Sequence, residues 1–168
     1  MISSGDGEEG TYYSGITATS GESLINQLNA LISIVTAGNG LQNVNYEETK
    51  DILEEADLII GSTTHLRGIY NSESIPKPWV YGGTTWNREH VWPQSRLGTE
   101  ATSSGRNIAS DPHNLRAIIP TTNTSRLNRY FVTGSGEVGY TIGSDQYYPG
   151  DAHRGDVARI LLYMAVRY

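Results

Sequence analysis

The segment Trp86–Ser95 constrains the fold of this chain most, because it places a carboxylate and an imidazole side by side shortly before a proline. Neighbouring side chains on a regular strand point to opposite faces, so Glu89 and His90 cannot both line one site on an ideally extended backbone. Pro93 restricts the preceding Trp92 and removes a backbone donor from any sheet. The sequence therefore predicts a strand that ends or kinks directly after His90.

Amphipathic patterns predict a helix near each end of the chain. Thr19–Glu22 has the spacing of a capping box, and apolar residues then recur at helical spacing until Gly38. A second stripe of this kind runs through Asp151–Tyr168, with Arg167 in its last turn, where a cation suits the helix dipole. We expect both helices to cover the core.

The segments between these helices have shorter patterns. Six acids in Glu47–Asp57 surround a few apolar residues and predict a short helix with a solvated acidic face, for which metal binding is the less favoured interpretation. Short strands are predicted at Leu66–Tyr70 and Trp79–Tyr81, between turn residues. Phe131–Tyr148 alternates glycine with apolar residues, which predicts a hairpin or a long loop.

The length and composition limit the number of domains and the kinds of chemistry that are possible. At 168 residues the chain fits a single domain, 1–168, in which residues 1–10 are expected to form a disordered tail. Cysteine is absent, which excludes disulfides and thiolate chemistry. No apolar run approaches the ~20 residues that cross a bilayer, so we expect no membrane association. The start of the sequence is polar and acidic rather than signal-like.

The distribution of charge favours a polyanionic partner, although the net charge is −6. Residues 1–57 hold ten acids and one basic residue, Lys50, whereas residues 86–129 hold six arginines and three acids. Guanidinium groups bind phosphate oxygens in a bidentate manner. Because this basic stretch contains Trp86–Ser95, we interpret it as a phosphate-binding face; ordinary surface arginines are the alternative.

Residues suited to metal-assisted phosphodiester cleavage lie in the same stretch. His90 is the candidate general base, because an imidazole with a pKa near ~6.5 is mostly neutral at pH 7 and accepts a proton from water; a structural histidine is the alternative. Glu89 and Asn123 offer an anionic and a neutral oxygen, which suits Mg²⁺ because it keeps several waters and takes phosphate oxygens as ligands. A capping or turn asparagine is the alternative for Asn123.

Three further residues are candidates for this site. Arg126 lies three residues after Asn123, so both project from one face if residues 121–130 are helical, and Arg126 then contacts phosphate. Arg106 is the candidate for stabilising a pentacovalent phosphate, with a solvated loop arginine as the alternative. His113 is interpreted as a structural or orienting residue, because a second histidine in the site would favour zinc.

Four motifs, taken together, resemble the endonuclease I family of secreted bacterial nucleases. The motifs are Asn87–Ser95, Asp111–Leu115, Asn123-x-x-Arg126-x-Asn128, and Arg154–Arg159 with Arg167–Tyr168. They run in order along the chain, and the resemblance extends from about Tyr12 to Tyr168. Each motif alone is weak, and their joint occurrence makes the resemblance strong. Some members are rich in disulfides, so this chain resembles a cysteine-free branch.

The resemblance implies an α+β fold with a His-Me finger, or ββα-metal, core, surrounded by helices and long loops. It implies sequence-non-specific cleavage of DNA, and often of RNA, leaving 5′-phosphate ends. His90 is then the general base and Arg106 the phosphate-stabilising arginine. Glu89 and Asn123 bind Mg²⁺, and Mn²⁺ or Ca²⁺ is able to substitute in binding. The candidate substrate-binding residues are Arg88, Arg126 and Asn128.

The resemblance also implies secretion, with a leader that this sequence does not include, and we expect a monomer without a protein partner. Two other classes were weighed against the nuclease. A binding module would use the arginines to hold polyanions without turnover. A zinc hydrolase would use His90, His113 and Asp111 in tetrahedral coordination. We favour the nuclease because every acid, base and amide that it requires is present.

Overall fold

The computed structural model describes residues 12–36 and 44–168 and has an α+β architecture, as expected. The described helices are α1 (Gly21–Thr36), α2 (Thr49–Ala56), α3 (Pro120–Arg126) and α4 (Arg154–Arg167). The described strands are β1 (His65–Arg67), β2 (Ser74–Pro76), β3 (Asn87–His90), β4 (Leu115–Ile118), β5 (Tyr130–Phe131), β6 (Tyr140–Ile142) and β7 (Gln146–Tyr148). The predicted tail and the helix end at Gly38 lie outside these residues.

The described strands form three small sheets. Strand β1 pairs with β2, and β3 pairs with β4, both in antiparallel fashion. In the third sheet β7 is central, with β5 parallel and β6 antiparallel to it. The β6–β7 hairpin confirms the prediction for residues 131–148. In the β3–β4 pair, Glu89 lies opposite Arg116 and His90 lies opposite Leu115.

Two hydrophobic clusters include residues of the β3–β4 pair or residues next to it. The first cluster consists of Leu53, Leu66, Ile75, Trp86, Leu115 and Ala117. The second consists of Ile69, Tyr70, Val91, Ile118, Tyr147 and Val157. Because burial of such side chains is the main stabilising term in folding, the two strands are held firmly in place. Glu89 and His90 therefore project from a fixed backbone.

Strand β3 ends at His90, as predicted, and the buried side chain of Asn114 explains how. The amide of Val91 still donates to the Asn114 carbonyl, at 3.0 Å. At Trp92 the Asn114 side chain replaces the partner strand, since its Oδ1 accepts from the Trp92 amide at 2.7 Å and its Nδ2 donates to the Trp92 carbonyl at 3.0 Å. The pairing thus stops without leaving these backbone groups unsatisfied.

The strand predictions for residues 66–81 were wrong in part. Trp79–Tyr81 is not a strand, and the amide of Trp79 donates to Oε1 of Glu54 at 2.8 Å. Of the strand predicted at Leu66–Tyr70, only Leu66 and Arg67 lie in a strand, as part of β1. Tyr70 has a φ of 78°, which lies in the left-handed region and is incompatible with an extended strand.

The terminal helices pack on each other. Asn29 of α1 donates from Nδ2 to the carbonyls of Val166, at 2.7 Å, and Arg167, at 3.1 Å. The amphipathic helices predicted at both ends of the chain are thus confirmed over the described residues. Within residues 12–36 and 44–168, no helix has both the length and the apolar character that crossing a membrane requires.

Buried Asp111 links α4 to the turn before β4. Its Oδ2 accepts hydrogen bonds from the hydroxyls of Tyr163 and Tyr168, each at 2.9 Å, and lies 3.3 Å from Nη1 of Arg167. Its Oδ1 accepts from the His113 amide at 2.9 Å. Burial acts to raise the pKa of Asp111, but the hydrogen bonds from His113 and the charge of Arg167 outweigh it and hold that pKa below its usual range.

We predict that Asp111→Asn lowers the free energy of unfolding by about 2 kcal/mol at neutral pH, because an amide accepts these hydrogen bonds less strongly than a carboxylate. A folded-state pKa below the unfolded one stabilises the protein above about pH 3.9, and the stabilisation is lost as pH falls through the folded pKa. In urea titrations the difference between the two proteins should therefore shrink below about pH 4. A difference that stays constant down to lower pH would contradict this account.

Candidate active site

A polar cleft of about 180 Å³ opens where β3, the turn after it and α3 meet. It is lined by residues 88–90 of β3, residues 93–95 of the turn, Asn123 of α3 and residues 126–128. The structure therefore brings Glu89, His90 and Asn123 to one site.

Glu89 is 2% exposed, and its two carboxylate oxygens have different surroundings. Oε1 accepts a hydrogen bond from the Tyr70 hydroxyl at 2.7 Å and lies 3.3 Å from Nη1 of Arg126. Oε2 has no hydrogen-bond donor in the part of the chain that the structure describes. Burial raises the pKa of Glu89 to about 7, although Arg126 and Tyr70 act to lower it. One oxygen is thus fixed, and the other is available to a ligand.

His90 is a neutral imidazole with one nitrogen available. Its Nε2 lies 2.8 Å from the carbonyl oxygen of Ala109. Because a carbonyl only accepts, Nε2 holds the hydrogen and the neutral ring keeps its lone pair on Nδ1. No donor to Nδ1 is found among the described residues. Burial lowers the pKa of His90 to about 4, so the ring is uncharged at pH 7.

A capped turn positions the carbonyl that orients His90. The Oδ1 of Asn107 accepts from the Ala109 amide at 2.8 Å, and the Oγ of Ser110 accepts from the Asn107 amide at 3.0 Å. These reciprocal bonds form a capping box around the turn Ile108–Ser110. The ring of Tyr46 stacks on His90 with 5.6 Å between centroids. The histidine is therefore held both through Nε2 and through its ring face.

Asn123 lies in the middle of α3 and is partly exposed. Its backbone groups take part in the helix, since its amide donates to the Ile119 carbonyl at 3.0 Å and its carbonyl accepts from Leu127 at 2.9 Å. Its side-chain amide has no hydrogen-bond partner among the described residues, and it lines the cleft with Glu89. The capping or turn contact of the alternative interpretation is therefore not seen, and the carboxamide oxygen is available to a ligand.

Arg126 lines the cleft together with Asn123, as the helical spacing predicted, but its guanidinium contacts partners within the protein. Helix α3 ends at Arg126 rather than extending to residue 130, because Leu127 has a φ of 50°. The guanidinium is 1% exposed and donates to the carbonyls of His90, at 3.2 Å, and Val91, at 2.7 Å, while it pairs with Glu89. Its donors are directed into the protein, so Arg126 holds Glu89 and the end of β3 in place rather than contacting phosphate.

The other two predicted substrate-binding residues, Arg88 and Asn128, both line the cleft but differ in their partners within the protein. Asn128 is exposed at the cleft, and its Nδ2 lies 3.4 Å from the Oγ of Ser95. Arg88 touches the cleft, but its guanidinium donates to the Tyr46 carbonyl and lies 3.5 Å from the centre of the Tyr46 ring. Substrate binding by Asn128 stays a prediction, whereas the cation of Arg88 already has partners within the protein.

Arg106 and His113 lie outside the cleft lining. Arg106 donates to both carboxylate oxygens of Glu48, at 3.2 and 3.3 Å, and its role at phosphate stays a prediction. His113 stacks on Tyr163 with 4.6 Å between centroids, and its Nδ1 lies 3.1 Å from Oδ1 of Asp111. These contacts agree with the structural interpretation of His113.

Acids of the segment Glu47–Asp57 pair with arginines of the basic stretch. Distances from arginine nitrogen to carboxylate oxygen are 3.9 Å for Arg88 and Glu47, 3.2 Å for Arg106 and Glu48, and 2.7 Å for Arg116 and Asp57. The acidic face is thus not simply solvated, and, with the pair of Arg126 and Glu89, four of the six arginines are paired with acids within the protein. This observation weakens the binding-module alternative, which needs a face of free cations.

The zinc alternative finds no geometric support. Among the described residues, no group of three or more histidines, aspartates or glutamates is close enough together to hold a metal ion. Asp111 is surrounded by Tyr163, Tyr168 and Arg167 instead.

Sequence reasoning missed Tyr70, whose buried hydroxyl fixes Glu89. Its backbone carbonyl accepts from the Gly139 amide at 2.9 Å. Gly150, at a φ of 88°, approaches the same carbonyl so closely that a Cβ there would lie 2.8 Å from it. These contacts come from distant parts of the chain, so no local pattern in the sequence indicated Tyr70.

Comparisons with known proteins agree on one family. Residues 20–168 match the family Endonuclease I. The extracellular ribonuclease of Bacillus subtilis (strain 168) is 37% identical over 164 residues, and that of Bacillus amyloliquefaciens is 35% identical over 164 residues. Each alignment covers 94% of this chain, but 54% and 53% of the respective relative. The chain therefore spans about half the length of the curated relatives that it matches.

Proposed function

The chain belongs to the endonuclease I family, and from that membership and the cleft we propose that it is a metal-dependent endonuclease. It hydrolyses phosphodiester bonds of DNA and RNA without sequence specificity and leaves 5′-phosphate ends. The observation that supports this most directly is the free Nδ1 of the neutral His90 in the same cleft as Glu89 and Asn123. The succession β3, β4, α3, with the base on a strand and an amide on the helix, supports assignment to the His-Me finger fold.

In this mechanism Nδ1 of His90 accepts a proton from a water molecule as the water oxygen attacks phosphorus. The bond between phosphorus and the 3′-oxygen breaks, and that oxygen takes a proton from solvent. The Ala109 carbonyl keeps the imidazole in the required tautomer. Tyr70 and Arg126 hold Glu89 through its Oε1 atom, which leaves Oε2 free.

Glu89 and Asn123 fit a Mg²⁺ ion, with Mn²⁺ or Ca²⁺ as substitutes in binding. Both offer an oxygen without a donor among the described residues, and hard oxygen ligands are what these cations prefer. A bound cation would stabilise negative charge on the phosphate. It would also favour the charged form of Glu89, whose pKa burial raises to about 7.

The relatives are named ribonucleases, which supports RNA as a substrate beside DNA. Because water, rather than the ribose 2′-hydroxyl, is the nucleophile in this mechanism, the reaction does not distinguish the two polymers chemically. The relatives are also named extracellular, and on that ground we propose that this protein is secreted.

We predict that the protein cleaves both supercoiled plasmid and single-stranded RNA in Mg²⁺, that EDTA stops both reactions, and that excess Mg²⁺ or Mn²⁺ restores them. End-group analysis should find 5′-phosphate and 3′-hydroxyl termini in both products. Cleavage of RNA alone, unaffected by EDTA and yielding 2′,3′-cyclic phosphate, would show that the 2′-hydroxyl is the nucleophile and contradict the mechanism.

A further inference from the structure

Arg96 and Tyr130 form a cation–π pair next to residues that line the cleft. The guanidinium carbon of Arg96 lies 3.8 Å from the centre of the Tyr130 ring. Its Nη1 donates to the Tyr130 hydroxyl, and its Nη2 donates to the Asn128 carbonyl at 3.0 Å. Arg96 directly follows Ser95, which lines the cleft together with Asn128. The pair is therefore joined to the cleft lining through Ser95 in the chain and through the Asn128 carbonyl.

No acid is paired with the charge of Arg96 among the described residues. Arg96 is exposed, and it donates hydrogen bonds to two uncharged oxygens. In the described ranges it takes part in no ion pair, which it shares with Arg129, whereas Arg88, Arg106, Arg116 and Arg126 are each paired with an acid. Tyr130 is 55% exposed, although aromatic rings are usually placed in the core. A free cation and an accessible aromatic ring thus lie together beside the proposed reaction centre.

Leu127 adds an apolar surface to the cleft itself. It is 56% exposed and lines the cleft. Its φ of 50° is uncommon for a residue other than glycine, and such strain tends to persist where it serves a site. Cation, ring and apolar side chain together match the components of a nucleotide: phosphate, base and sugar.

We propose that Arg96 and Tyr130 form a stacking subsite for an unpaired nucleobase next to the phosphate that is cleaved. The inference rests on the proposed function and deepens it, since it names single-stranded nucleic acid as the preferred substrate. Aromatic and guanidinium planes stack on any base, which agrees with cleavage without sequence specificity. A base within a duplex is already stacked and paired, so it is not free to occupy this subsite.

The test compares a short oligothymidylate with an oligomer of the same length made of abasic nucleotides. Wild-type protein should have a higher kcat/KM on the oligothymidylate. Tyr130→Ala should lower kcat/KM on the oligothymidylate by roughly 5-fold to 100-fold and leave cleavage of the abasic oligomer nearly unchanged. Tyr130→Phe keeps the ring and should keep the preference for bases. Tyr81→Ala, which removes a tyrosine that is 94% exposed and does not line the cleft, should change neither reaction.

Equal losses on both substrates would assign Tyr130 a purely structural role and overturn the inference, as would a wild-type protein that cleaves both oligomers equally well. If wild-type protein cleaves neither, the proposed function fails, and fluorescence anisotropy in EDTA then decides the subsite. Tighter binding of the oligothymidylate that is lost in Tyr130→Ala would support the subsite without catalysis. Equal binding of both oligomers, or binding of neither, would overturn it.

Discussion

Replacing His90 by alanine is expected to lower phosphodiester cleavage by about 10²-fold to 10⁴-fold, the usual contribution of a positioned general base. The variant lacks the only imidazole that lines the cleft within the described residues. No other side chain in that lining is a free neutral base, because Glu89 is paired with Arg126 and is assigned to the metal in the proposed mechanism. Initial rates on plasmid and on RNA, measured at saturating nucleic acid and saturating Mg²⁺, give the change in kcat.

The His90 experiment needs a test of folding, because the side chain is 8% exposed and donates to the Ala109 carbonyl. Circular dichroism and a urea titration should show a folded variant. His65→Ala is the matched control, since His65 is exposed and its ring contacts Thr64 at 3.0 Å. That variant should retain full activity. A folded His90→Ala protein with wild-type rates would end the assignment of the base.

The local features of the site were predictable from the sequence. The end of β3 followed from the chemistry of neighbouring side chains on a strand and from Pro93, and both are properties of a few consecutive residues. The terminal helices followed from apolar spacing and a capping pattern. The grouping of Glu89 and His90 in one cleft was instead expected from their chemistry and from the family resemblance, because adjacent side chains on a regular strand point to opposite faces.

The partners of the charged residues were not predictable in the same way. The basic stretch suggested a phosphate-binding face, but Arg88, Arg106 and Arg116 pair with acids that lie roughly forty to sixty residues earlier in the chain. No periodicity links such positions. The turn at Leu127 was equally hidden, because a leucine at positive φ contradicts local preference. Consequently the partners that hold the Arg126 guanidinium within the protein were not predicted.

The second large effect is expected from Arg126→Ala, which should lower the free energy of unfolding by about 3–5 kcal/mol. The variant leaves Glu89 buried without its cation and removes the donors to the His90 and Val91 carbonyls. Urea titration at neutral pH measures the loss. Cleavage should also fall in the protein that remains folded, because the carboxylate of Glu89 is no longer held in place.

Arg106→Ala is the matched control for this prediction, because the pair of Arg106 with Glu48 is 3.2 Å long but lies at the surface. Exposed pairs contribute about 1 kcal/mol or less, so this variant should remain nearly as stable as wild type.

The stability and binding measurements then distinguish the two roles of Arg126. A phosphate contact would weaken substrate binding and leave stability unchanged, whereas a buried partner of Glu89 destabilises the protein even without nucleic acid. Adding Glu89→Gln to Arg126→Ala should cost less than the sum of the single changes, since the two side chains interact directly.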